Sequence, residues 1–219
     1  MARMLYLRDS ATFMLNVLRR HQRLSRKVQA GENYSKDIQP VFDKLKAQVA
    51  LNTQAEVDRQ NSHDDVLFAD SDLDNVIRDV YDACKGYDRN NAGSSILNTI
   101  FENGTFSEII HMPYDKEPGE AEKLIVKLES FGASHNIFPQ AARLRKAIED
   151  VNKALDVFKT QIRNEKKVEA EMEIIKMETI RAYENNYLNA RRQFGSALTE
   201  KIFPVLSLAA VRPQQVESN

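Results

Sequence analysis

Apolar side chains recur along this chain at intervals of three and four, which places them on one face of a helix and leaves the other face polar. Phe13, Met14, Val17, Leu18, Leu24 and Val28 mark a first helix, with Asp9 or Ser10 as N-cap, running to about Ala30 and closed by Gly31. Ile38, Val41, Phe42, Leu45, Val49 and Val57 mark a second, from Ser35 or Asp37 to about Gln60, with Pro40 near its first turn. The polar run Asn61–Asp65 is expected to end it as a solvated loop. A third helix spans Asp72–Tyr87 on Leu73, Val76, Ile77, Val80, Tyr81 and Cys84, with Asp70-Ser71-Asp72-Leu73-Asp74 as its acidic N-terminus.

Shorter pieces occupy residues 94–132. One helix carries Ile96, Leu97, Ile100 and Phe101 and ends at Gly104. Another opens at Pro118, carries Ala121, Leu124, Ile125, Leu128 and Phe131, and closes at Gly132. The longest pattern begins at Pro139. Leu144, Ile148, Val151, Leu155, Phe158 and Ile162 form one series, and Met172 to Ala197 another, separated by the polar Arg163–Lys167. A single helix there would be about 90 Å long at 1.5 Å per residue, so a hairpin at 163–167 is expected. An apolar patch, Val205–Val211, precedes a disordered tail, 212–219.

The pattern predicts an all-α fold: an elongated antiparallel bundle of four to five long helices, one domain over residues 1–211, with the short-helix insert at about 94–132. Composition agrees. Only 7 Gly and 6 Pro in 219 residues are too few for many short strands, and 42% hydrophobic residues exclude a disordered chain. No apolar run approaches the length of a membrane span, and no secretory signal is apparent. Cys84 is the only cysteine, so no internal disulfide forms and a reducing, cytoplasmic setting is expected.

Candidate chemistry is sparse. Asp70–Asp74 alternates acids as a calcium loop does, yet Asn75 and Tyr81 stand where such a loop needs Gly and Glu. Glu108-Ile109-Ile110-His111 is half of a di-iron motif without the second half, leaving Glu108 and His111 as weak metal candidates. His63 beside Asp64 and Asp65 reads as solvated, and Cys84 as a buried hydrophobe. No phosphate loop or nucleophile elbow is present, so no cofactor is expected and catalysis is disfavoured.

Charge is more informative. The net is −1, but residues 1–30 carry seven basic residues against one acid, +6, and residues 56–82 carry nine acids against two arginines, −7. The plainer reading has these regions solvated or facing each other. The alternative uses Arg19, Arg20, Arg23, Arg26 and Lys27 to meet an anionic membrane surface or nucleic acid.

Ala69-Asp70, Arg78-Asp79-Val80-Tyr81, the series Asn152, Phe158 and Arg163, and Tyr183 with Phe194 together resemble a domain-of-unknown-function family of all-helical bacterial proteins common in Bacteroides-like bacteria. The resemblance covers about residues 38–203. It implies a helical bundle of bacterial origin and transfers no activity, cofactor or catalytic residue. The expectation is a non-enzymatic scaffold or protein-interaction protein, self-association included, with a metal-binding or enzymatic carboxylate bundle and anionic-surface binding as alternatives.

Overall fold

The computed structural model describes residues 4–102 and 105–203. Among the described residues six helices follow one another: α1 (Ala11–Ser25), α2 (Glu32–Asn90), α3 (Ile96–Ile100), α4 (Thr105–Ile109), α5 (Glu117–Ser130) and α6 (Pro139–Ile202). The described residues contain no strand, and the fold is an all-α helical bundle. Among the described residues no helix is long and apolar enough to cross a membrane. The helix end placed at Gly104, the Val205–Val211 patch and the tail lie outside the described residues.

Two of the expected interruptions do not occur. The second and third helices are one, because Asn61–Asp65 continues α2 without a break. Between Pro40 and Gly86 the chain has neither Pro nor Gly. Asn, Ser, His and Asp cost a helix only about 0.5 kcal/mol each relative to Ala, which tertiary burial readily offsets. Ser62 is buried and its hydroxyl donates to the Arg59 carbonyl at 2.9 Å. His63 is half-buried rather than solvated, its ring 5.1 Å from Phe158 and 6.1 Å from Tyr114. The hairpin at 163–167 is likewise absent, and α6 runs through it. The argument for a hairpin needed the whole helix inside one compact domain, whereas its two halves pack in different units.

Contacts gather the chain into two compact units: Met1–Ala55 with Glu165–Asn219, and Glu56–Asn164. In the first unit, Met14, Leu18, Ile38, Leu45, Tyr183 and Phe203 are fully buried. In the second, Leu73, Ile77, Val80 and Cys84 of α2 pack with Leu124 and Leu128 of α5 and Leu144 and Val151 of α6. The short helices of 96–130 are part of this core, since Ile96, Ile100 and Ile109 are buried in it. Each large apolar side chain taken from water there contributes roughly 1.5–3 kcal/mol.

Two glycines are dictated by the backbone. At Gly31 an added Cβ would lie 2.2 Å from the Ser25 carbonyl oxygen, where the chain turns tightly out of α1. Gly195 interrupts α6 at φ 71° and ψ 178°, a region open essentially to glycine alone. The Thr199 hydroxyl donates to the Gly195 carbonyl at 2.7 Å and secures the turn beyond the kink. That turn carries Ile202 and Phe203 onto α1. Gly195→Ala is expected to destabilise the protein by about 1–3 kcal/mol although no neighbouring atom obstructs the new methyl. Urea unfolding of both forms checks this, and an unchanged midpoint would contradict it.

Candidate functional site

Continuity of α2 puts Asp70 and Asp74 one turn apart in mid-helix, not at a helix N-terminus. The first residue of α5, Glu117, meets them and is only 1% exposed. Pro118 follows at the start of α5, where its fixed φ suits the helix and its missing N–H costs little. Asp70, Asp74 and Glu117 each bury a carboxyl oxygen that no protein N–H or O–H reaches. Glu117 lies within hydrogen-bonding reach of both aspartates. Three ionised carboxylates can only accept, so the cluster is satisfied when one of them keeps a proton and donates it.

That acid is Glu117. Burial first, then its hydrogen bonds and the negative charges of Asp70 and Asp74, push its pKa up to about 9. Asp70 is raised as well, by burial and by Asp74, while the hydrogen bond from Glu117 opposes the rise. Asp74 also receives Arg78 at 3.2 Å. Among the described residues no group of three or more His, Cys, Asp or Glu is placed to hold a metal ion. The proton sits on Glu117, which is enclosed, while Asp70 and Asp74 beside it are half-buried.

Glu108 and His111 are both exposed. α4 ends at Ile109, so His111 lies beyond the helix and the two do not share a helical face. Arg19, Arg23, Arg26 and Lys27 are exposed and Arg20 is half-buried. Arg19 sits 5.9 Å from the centre of the Phe42 ring, and the Arg26 Nε donates to Ser35 at 3.0 Å. Cys84 is fully buried and its thiol is pushed up to about 12, chiefly by burial, which makes it inert.

A buried histidine carries no signal in the sequence. His21 of α1 is wholly enclosed. Its Nδ1 lies 3.0 Å from the Ile202 carbonyl oxygen, so Nδ1 carries the proton and donates. Nε2 then accepts from the Asn186 amide at 3.4 Å, and the same amide donates to the Tyr34 carbonyl at 2.9 Å. Phe203 lies against the ring at 4.1 Å and Tyr183 meets it edge-on at 5.5 Å. Burial lowers the His21 pKa to about 4, against the opposing pull of the Ile202 carbonyl.

The accessible feature is a cleft of about 670 Å³ in the second unit, between α2 and α6. Phe68, Val76 and Ala147 supply apolar lining, Asp72, Asp79 and Asp150 acids, and Arg143 and Lys146 bases. Phe68 is 71% exposed, the most exposed large apolar side chain described. It escaped the sequence reading because it lies off the buried register of Val66, Leu73, Ile77, Val80 and Cys84, inside a stretch expected to be a break. With α2 continuous, Asp65, Phe68, Asp72, Asn75, Asp79 and Asp82 form one exposed stripe at helical spacing. Asp79 in this stripe receives Arg143 at 2.6 Å. A second cavity, about 440 Å³, is lined by Tyr81, Phe101 and Phe106 beside Asp88. Asp88 accepts from the Ser94 hydroxyl and the Ile96 and Leu97 amides at 2.6–2.9 Å, which caps α3.

The two buried groups act oppositely with pH. Unfolded Glu117 ionises near 4.5 and folded Glu117 near 9, so it weakens the fold as pH rises through that window. Glu117→Gln, which can donate without ionising, is expected to raise the urea midpoint at pH 8 and to leave it little changed near pH 4. Unfolded His21 is protonated near 6.5 and folded His21 only near 4, so its contribution is complete above 6.5 and lost as pH falls to 4, about 3 kcal/mol in all. Relative to His21→Gln, the native protein should lose that amount over this range. Parallel pH profiles for either pair would contradict the assignment.

No family model, curated protein or solved structure matches the chain, so its functional reading rests on the geometry.

Proposed function

We propose that this chain is a non-enzymatic helical scaffold that binds another protein along the exposed stripe of α2. The observation that carries this is Phe68, left 71% exposed beside a cleft with acids on the same helix face. Aromatic side chains at such positions supply much of the energy of protein interfaces, and the surrounding charges set orientation and partner choice. Leu67, next to it, is also exposed. The stripe matches a partner helix laid into a groove, with an apolar anchor for Phe68 and basic residues for Asp65, Asp72 and Asp82. Of the carboxylates that converge, Glu117 is enclosed and keeps its proton, so it is spent on packing, which supports a binding role over catalysis.

A fluorophore on Asn75→Cys reports on this surface, because the buried Cys84 does not compete for label. Synthetic amphipathic helices of equal length, one Arg/Leu-rich and one Glu/Leu-rich, serve as probes. The Arg-rich helix is expected to bind and the Glu-rich one not, and Phe68→Ser should weaken binding about tenfold or more. Failure of the Arg-rich helix to bind, or equal binding to the Phe68→Ser form, would overturn the reading.

A further inference from the structure

The two compact units carry opposite charge. The first holds 18 Lys and Arg against 12 Asp and Glu, a net of +6, and the second holds 13 against 20, a net of −7. Within the first, the buried face of α1 comprises Met14, Leu15, Val17, Leu18, His21 and Gln22, so its opposite face is turned to solvent. That face carries Arg19 and Arg23 and continues to Arg26 and Lys27, all exposed. Among the described residues neither Arg23 nor Lys27 has an ion-pair partner. On the second unit the exposed stripe of α2 carries Asp65, Asp72 and Asp82 around Phe68, likewise without ion-pair partners among the described residues.

We propose that the partner of the α2 stripe is the basic face of α1 from a second copy of this chain, an assignment that rests on the reading of that stripe as a binding surface. The spacing of the charges fits. Arg19 to Arg26, the helical C-cap residue just past α1, spans seven residues, as does Asp65 to Asp72 within α2, so both pairs repeat at about 10.5 Å along the helix axis. Helices laid side by side can therefore bring arginine and aspartate into register more than once. Guanidinium groups also stack on aromatic faces, and α1 already does so internally with Arg19 over Phe42. Phe68 gives a second arginine the same surface. Each exposed ion pair contributes little, so the association is weak, salt-sensitive and concentration-dependent.

Sedimentation velocity over a concentration series tests this. The native chain is expected to associate in about 20 mM salt and to become monomeric in about 500 mM, where charges are screened within a few ångströms. Arg19→Glu/Arg23→Glu should stay monomeric, since its reversed helix meets an acidic stripe. Asp65→Lys/Asp72→Lys should also stay monomeric, for the converse reason. An equimolar mixture of the two should associate, because each variant now complements the other. All substituted positions are exposed, and circular dichroism verifies that both variants remain helical.

Concentration-independent monomers of the native chain would overturn the proposal, as would association that survives in both variants separately. If the native chain is monomeric yet the Arg-rich probe helix still binds in a Phe68-dependent way, the surface stands and the partner is a different protein. If that probe fails too, both readings fall. Monomers that sediment with anionic phosphatidylserine vesicles, and lose this in Arg19→Glu/Arg23→Glu, would overturn self-association and assign the basic face of α1 to a lipid surface.

Discussion

Two uninterrupted helical backbones underlie everything else in this protein. Between Pro40 and Gly86, and between Pro139 and Gly195, the chain contains neither a proline to remove an amide donor nor a glycine to loosen the backbone. The backbone therefore continues its hydrogen bonding through Asn61–Asp65 and Arg163–Lys167, where the apolar stripe lapses. As a result α2 and α6 each contribute walls to two separate hydrophobic cores. Helix continuity costs little when no residue opposes it, and the burial achieved on either side of each polar stretch is large.

That continuity brings polar groups into the cores with consequences of opposite sign. Asp70 and Asp74 fall on one face only because α2 does not begin at Asp72, and Glu117 is then buried against them. A carboxyl group in that setting stays protonated well above its usual range, because it is buried and its ionisation would add a negative charge beside those of Asp70 and Asp74. His21 is the reverse case, a base whose two nitrogens are both used by Ile202 and Asn186 and which has no room for a second proton. Both groups make the native packing depend on a particular protonation state without exposing a reactive atom.

The exposed surface follows the same logic. Phe68 is left outward because its position on α2 points away from Leu73, Ile77 and Val80. The acids around it belong to a unit with net charge −7, while α1 lies in a unit with net charge +6. Opposite charge on exposed helix faces steers encounters and sets register, and an aromatic at the centre supplies an anchor.

The all-α class, the Ser10 cap of α1, the start of α5 near Pro118 and most buried positions were legible in the linear pattern, because helical periodicity and capping are local, whereas the free amides of α3 are capped by Asp88 and not by Ser94 or Ser95. The basic face of α1 could also be read there, since Arg19, Arg23 and Arg26 share a helical spacing. The joins across 61–65 and 163–167 were not legible. Polar residues are compatible with both a loop and a solvated helical turn, and only the packing of Ser62, His63 and Val66 settles which one forms. The meeting of Glu117 with Asp70 and Asp74 lies further out of reach, because residues more than forty positions apart become neighbours through the folded path of the chain and no local periodicity encodes that. Helix content and facing are thus properties of short stretches of chain, whereas the protonated cluster, the enclosed His21 and the outward Phe68 arise from which distant surfaces come to lie against one another.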